Sequence, residues 1–248
     1  MTDVAPRRKY PNPPIVEVIC QVTFTEAVSW SAASPGLLYA RIRDDYPAEP
    51  NAQTAIEASV DGENGQLQVK RGGLRFVYSN SDQNRRLVAN EDNLSVNALP
   101  PYENWDSLAT RFREALKAFR DEFGAFTPAA VSLRYINRVI VPGESVRPTD
   151  YFNVPVVMAH QPDSRTRAFV SRSESISAET SIETTVTFAS VAHAVEGESA
   201  FMLDIDLSIP APSDADVDQM VELATVLHKW ENHEFESSIT DACRKLFG

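Results

Sequence analysis

The chain has 248 residues, 43% of them apolar, including twelve phenylalanines, and a formal charge of −12. A chain of this length buries roughly 70% of its unfolded surface, so it needs no disulfides or metal to hold a core. The acidic balance, with an isoelectric point near 4.8, excludes a broadly basic nucleic-acid-coating surface, which would need a positive field to displace counterions. Cys20 and Cys243 are too few for a four-thiolate zinc site and suggest no disulfide scaffold.

Residues 1–14 read as an N-terminal arm, charged at first and then broken by Pro11, Pro13 and Pro14. Residues 1–9 lack apolar periodicity and are expected to move or to order on a partner, whereas Asn12 to Ile15 should be fixed by the strand that follows. That strand is IVEVICQVTF, whose alternate residues Val16, Val18, Cys20, Val22 and Phe24 form one apolar face. Ser34-Pro35 predicts a helix start, with Ser34 as cap and the helix running over 35–46. QTAIEASV, GQLQVKR and GLRFVYSN follow as strands joined by DGENG and RGG turns, then RRLVANE and LSVNALPPY. Connections this short predict an antiparallel meander. The strongest helix covers 104–124, where Trp105, Leu108, Phe112, Leu116, Phe119 and Phe123 make one stripe, Asn104 a cap and Gly124 a stop.

A second half, 127–248, repeats that order after a first half at 15–126. SLRYINRVIVP comes first, then a proline-marked loop region at 142–162. The strands TRAFVSRSE, SIETTVTFASV and AFMLDIDLSIP follow. A final helix is expected from a Ser213 cap almost to the end. Its apolar arc holds Val217, Met220, Val221, Ala224, Val226 and Leu227, is disrupted at HKWENHEF, and resumes at Phe235, Ile239, Ala242 and Leu246. The expectation is an α+β fold of antiparallel sheet covered by long amphipathic helices, the two halves packed as one unit.

Chemistry is sparse. Period two places Arg134 and Arg138 on one face of their strand, with Leu133, Tyr135, Asn137 and Val139 on the other. The strand MLDIDLSI mirrors it, with Asp204 and Asp206 opposite an unbroken apolar face. Arg134, Arg138, Asn137, Glu179 and Glu183 are therefore the candidate ligand-binding residues, and Asp204 with Asp206 the candidate metal ligands. Guanidinium forks suit phosphate, and magnesium takes carboxylates together with phosphate oxygens. A solvated sheet face with opposite charges on neighbouring strands reads the same way. On that reading an arginine is held by one of Asp204, Asp206, Glu179, Glu183 or Glu17. No phosphate loop, dinucleotide fingerprint or nucleophile elbow is present, so no catalytic residue is assigned. His228 and His233 lie five apart and do not converge on a straight helix.

The stretches YPNPPIVEVICQVTF, DNLSVNALPPYENWDSL, SLRYINRVIVP, FMLDIDLSI and LHKWENHEFESSITDACRKLF resemble, in that order, a sporadically distributed bacterial family of proteins of about this length. Its marks are the Asn-Pro-Pro-Ile and Arg-Tyr-Ile-Asn-Arg elements. The resemblance spans nearly the whole chain and implies a bacterial origin, one unit over the full length and an accessory role. It supplies no catalytic residue or cofactor.

Three function classes follow. The leading expectation is a non-enzymatic interaction or adaptor protein in a bacterial accessory system, cytoplasmic and without a cofactor, holding a protein partner. The alternative is a phosphate- or nucleotide-binding protein or phosphohydrolase that uses the charged sheet face with magnesium. Direct nucleic-acid binding is the third and is disfavoured by charge. It would use Arg7, Arg8, Lys9, Lys70, Arg71, Arg75, Arg85 and Arg86 around Phe76 and Tyr78. No apolar run reaches the 18 or more residues of a spanning helix.

Overall fold

In β1 (Ile15–Phe24) the expected alternation appears as burial: Val18, Cys20, Val22 and Phe24 are buried and the residues between them are half-exposed. The structure is a computed structural model that describes residues 8–60, 67–156, 168–193 and 195–248, without the side chains of 55–60 and 67–72. It is an α+β fold, antiparallel sheet packed against helices. The chain forms two compact units. Unit 1 holds residues 1–20, 130–211 and 222–248, and unit 2 holds 21–129 and 212–221.

Unit 2 contains α1 (Ser34–Ile42), β2 (Asn51–Val60), β3 (Leu67–Ser79), β4 (Arg85–Ala89), β5 (Asn93–Ala98) and α2 (Trp105–Phe123). The four strands form the expected meander, each pair antiparallel, and β1 lies beside β5. Two local expectations fail. Gly72-Gly73 is not a turn, because β3 runs straight through it. The register with β2 shifts there, between Thr54↔Leu74 and Ile56↔Arg71, so one extra residue is accommodated as a bulge. Ser34 is not the cap of α1 either. It is the first helical residue, and the Ala33 cap contributes no side-chain bond. The Ser34 hydroxyl instead accepts from the Ser31 backbone N–H at 2.9 Å. The expected DGENG turn falls outside the described residues.

Helix α2 forms as read. Asn104 accepts from Ser107 N–H at the start, and Gly124, at φ 83°, closes the end with its N–H on Arg120 C=O. A left-handed φ of that kind favours glycine. Trp105, Leu108, Phe112, Leu116 and Phe119 are buried. Phe119 meets Phe24 at 5.3 Å and Trp30 at 6.3 Å between ring centres.

Unit 1 contains the start of β1, β6 (Pro128–Pro142) from Ala130 onward, β7 (Val170–Ile176), β8 (Glu183–Val191) and β9 (Glu198–Pro210). Their order from β1 is β6, β9, β8, β7, and the pairs β6–β9, β9–β8 and β8–β7 are antiparallel. Most of α3 (Val217–Ser238) also belongs here and reaches the sheet where His228 stacks on Tyr135 at 6.0 Å. Phe152, Phe169, Phe188 and Phe201 form an aromatic cluster on the same face, with Phe152 4.5 Å from Phe188.

The end of the chain corrects the sequence reading in a regular way. The helix cap is Asp216, not Ser213. Asp216 accepts from Gln219 N–H at 2.8 Å while the Gln219 side chain accepts from Asp216 N–H at 2.8 Å, a reciprocal capping box. α3 continues through HKWENHEF and breaks later, before Thr240, which caps α4 (Asp241–Arg244). The break shifts the apolar phase by one residue, so Cys243 and Phe247 are buried where Ala242 and Leu246 had been expected. Val226 is exposed rather than part of the arc.

Residues 1–7 fall outside the described residues, and Arg8 and Lys9 are exposed. The arm is already docked at Tyr10, whose hydroxyl donates to Glu236 at 2.6 Å and whose ring meets Phe247 edge-on at 5.2 Å. Burial, with the Glu236 carboxylate, pushes the Tyr10 phenol up to about 12. Asn12 N–H then bonds Phe247 C=O at 3.0 Å.

Candidate functional site

The candidate residues lie on the unit 1 strands, whose register decides who meets whom. Arg134 sits opposite Asp206 and Ile136 opposite Asp204 across β6–β9, while Leu133, Tyr135 and Asn137 face Leu207, Ile205 and Leu203. The second set points to the buried side. The first set shares the other face with Thr185 and Thr187 of β8 and with Glu174 and Arg172 of β7.

On this polar face Arg134 reaches diagonally to Asp204. Its Nε donates to Oδ1 at 2.8 Å and its second guanidinium nitrogen donates to Oδ2 at 2.6 Å, a parallel two-bond fork. The Asp204 side chain is 12% exposed and that of Arg134 41%. These hydrogen bonds hold the guanidinium in its charged form against the opposing effect of burial, with Asp204, Asp206 and Glu17 adding electrostatic support. The carboxylate expected to hold an arginine is thus Asp204, and both its oxygens are engaged.

Arg138 goes elsewhere. Its guanidinium donates to Ala192 C=O at 3.3 Å and to His193 Nδ1 at 3.1 Å, and His193 Nε2 meets Glu198 at 2.7 Å. Arginine has only donors, so Nδ1 accepts and the proton sits on Nε2, facing Glu198. Asn137 joins neither arginine. It is buried on the opposite face and donates to Leu203 C=O at 3.3 Å. Glu179 lies in the turn before β8 and Glu183 at the strand's start, both exposed, and neither side chain is in a hydrogen bond or ion pair among the described residues.

Asp206 differs from its neighbours. Its side chain takes part in no hydrogen bond or ion pair among the described residues. Burial raises its carboxyl pKa and Asp204 adds to the rise, while Arg134 and Arg172 oppose it. The folded state therefore holds this proton more tightly than the unfolded chain does. Stability is gained as pH falls through the raised pKa and levels off below the unfolded value of about 3.9. Above that window the half-buried carboxylate is a cost. Asp206→Asn removes the charge, so its urea midpoint should exceed the parent's at pH 7. The two should converge as pH falls toward about 4; a variant less stable than the parent at pH 7 would contradict this account.

Other chemistry is dispersed. Among the described residues no three His, Cys, Asp or Glu side chains are grouped to hold a metal. Cys20 and Cys243 are buried and form no disulfide, and burial pushes the Cys243 thiol up to about 12, far from the range of a reactive thiolate. His228 is buried with Nδ1 3.1 Å from the Tyr135 hydroxyl, and His233 is exposed. Arg165, Arg167 and His160 lie outside the described residues.

A concavity of about 350 Å³ in unit 2 is lined by Arg120, Phe126, Asp214, Asp216 and Met220, but Asp216 is committed to its cap. The basic stripe considered for nucleic acid is not presented as a stacking surface. Tyr78 is fully buried with its hydroxyl on Pro35 C=O, Phe76 lies against Trp30, and Arg85 is paired with Glu103 at 2.6 Å. Lys70 and Arg71 have no described side chains, and Arg7 lies outside the described residues.

No protein-family model matches the chain, and no curated protein does. No described helix is long and apolar enough to cross a membrane.

The feature that sequence reading missed is the strand at the end of the unit 1 order. β7 has no strand on its outer side among the described residues, and six of its seven residues are exposed. Val170 is 74% exposed and Ile176 66%. Ser190 N–H bonds Phe169 C=O at 3.2 Å and Ser177 N–H bonds Ile182 C=O at 2.9 Å, with an unbroken register between them. Antiparallel ladders alternate, so the odd-numbered residues from 169 to 177 bond inward to β8. The N–H and C=O groups of Val170, Arg172, Glu174 and Ile176 consequently point outward. The sequence placed a strand here over TRAFVSRSE, 166–174, and the strand observed is Val170–Ile176. Its place at an edge depended on strand order, which no local pattern encodes.

Proposed function

We propose that this chain is a non-enzymatic interaction protein of a bacterial accessory system, and that β7 is where it holds a protein strand. The observation that carries this reading is the edge itself: with no strand beyond β7 among the described residues, backbone donors and acceptors point outward over four alternate residues, from exposed Val170 to exposed Ile176. Strand addition draws affinity from main-chain hydrogen bonds and specificity from alternate side chains. Unpaired main-chain groups along an edge strand are also a template for association, which favours a resident partner. The anion reading has less to stand on, because Arg134 spends both donors of its fork on Asp204 and Arg138 is engaged by His193 and Ala192. A divalent ion would have to compete with Arg134 for Asp204. The bacterial accessory setting rests on the resemblance.

Arg172→Pro tests the edge without touching the β7–β8 ladder, since the N–H it removes points outward. A tagged parent chain in extract of its host should retain one protein in stoichiometric amount, whether another chain or an untagged copy of this one. The folded proline variant should retain none. Equal retention by the variant would move the interface elsewhere. Stabilisation by nucleotide or polyphosphate with magnesium, abolished by Arg134→Ala with Arg138→Ala, would replace the reading with the ligand-binding one.

A further inference from the structure

The outward residues of β7 have an order that matters. From 170 to 176 the strand reads Val-Ser-Arg-Ser-Glu-Ser-Ile. Turned end for end about Ser173 it reads Ile-Ser-Glu-Ser-Arg-Ser-Val, so a second β7 laid antiparallel beside the first sets Val170 against Ile176, Ser171 against Ser175 and Arg172 against Glu174. Each cross-strand pair is chemically matched.

Backbone geometry permits that register. The edge groups belong to the even residues, so an antiparallel neighbour of the same sequence must set even against even. A twofold axis through Ser173 does so, leaving Ser173 in the central wide pair and the even residues in four narrow pairs that each exchange two bonds. The adjacent allowed registers fail on charge. A shift of two residues one way sets Arg172 against Arg172, and the other way sets Glu174 against Glu174. Like charges directly opposite are destabilising.

In the single chain, Arg172 Nε bonds Glu174 at 2.8 Å within the strand. In a pair of strands the four charged groups alternate in sign around the axis, and each guanidinium gains a second carboxylate. Edge charges usually deter sheet-to-sheet association; here they deter every close register except one.

Resting on the reading of β7 as the interaction edge, we infer that its occupant is a second copy of this chain, paired β7 to β7 about a twofold axis at Ser173. The interface is isologous, as a twofold requires. A seven-residue strand pair is small beside the interfaces of permanent dimers, and each chain carries a charge of −12. The association is therefore concentration-dependent and weakest at low ionic strength, where the two like-charged bodies repel over a longer range.

Charge exchange tests the pairing. Sedimentation equilibrium of the purified chain from about 1 µM to about 500 µM, spanning weak affinities, should show a monomer–dimer equilibrium. Arg172→Glu sets acid against acid in the pair and Glu174→Arg sets base against base, so each variant alone should dimerise at least about tenfold more weakly, a loss of about 1.4 kcal/mol. Mixed one to one, the two variants should form a heterodimer, and the double exchange Arg172→Glu with Glu174→Arg should restore the parent's self-association. All three variants should remain folded when dilute, with Glu174→Arg and the double exchange melting close to the parent and Arg172→Glu slightly below it, since it removes a positive charge near Asp206. A parent dimer indifferent to either reversal overturns the pairing, as does a mixture that stays monomeric. A parent chain monomeric throughout, which still loses a captured protein on Arg172→Pro, overturns self-pairing while leaving the edge reading intact. Loss of both results would end the edge reading as well.

Discussion

Phe112→Ala should cost about 3–5 kcal/mol of stability, the range for truncating a buried phenylalanine. The ring is fully buried in the middle of the α2 stripe, between Leu108 and Leu116, which are themselves fully buried. Neighbours on a helix one turn away in both directions are tied to their own backbone, so the void cannot collapse from within α2. The loss combines the transfer of the ring's surface with the cavity left behind. Lys117→Ala, at an exposed position of the same helix, should change stability by less than about 0.5 kcal/mol. Chemical denaturation followed by fluorescence and circular dichroism would read both. The two signals should be compared for coincidence, because a chain of two compact units need not unfold in one step. A Phe112→Ala protein as stable as the parent, or one that lost only a partner, would place the stripe at an interface rather than in a core.

Arg134→Ala should cost about 2 kcal/mol, between the roughly 0–1 kcal/mol of an exposed pair and the 3–5 kcal/mol of breaking a buried one. The intermediate value follows from the asymmetry of the pair. Asp204 is 12% exposed at its side chain and loses both donors, but Arg134 is 41% exposed, so its removal admits water to the carboxylate. Asp204→Asn keeps an acceptor for the guanidinium and should cost less, about 1 kcal/mol. The double variant should be more stable than the sum of the two losses implies, because once the carboxylate is gone the arginine has less to satisfy. Additive losses in that cycle would show that the two side chains act independently. Stabilisation of the parent by an anion, lost in Arg134→Ala, would show that the fork opens to a ligand.

The periodic elements were legible in the residues alone. The α2 stripe, with its Asn104 cap and Gly124 stop, and the strict alternation of β1, β6 and β9 appear in the structure at nearly the expected boundaries, because hydrophobic period is a local property of helix and strand. Alternation also placed Arg134 and Arg138 on one face of β6 and Asp204 with Asp206 on one face of β9. Ends and interruptions were less legible. Gly72-Gly73 carries the same local signal whether it turns a chain or relaxes a bulge, and only the pairing of β3 with β2 distinguishes the two. Asp216 displaced Ser213 as the cap because Gln219, three residues on, closes a reciprocal box with it, a local signal that Ser213, followed at that distance by an aspartate, does not offer.

What only the tertiary structure decided was partnership. Arg134 chose Asp204 over Asp206, Glu17, Glu179 and Glu183 because the β6–β9 register and the fork's reach single out one diagonal neighbour. Arg138 found His193, which no spacing rule connects to it, and Asn137 turned inward with the core face. The edge position of β7 likewise follows from the order of strands in unit 1, a long-range outcome. The sequence of β7 already contained a strand matched to itself about Ser173. That match bears on the proposed pairing because β7 has no strand on its outer side among the described residues.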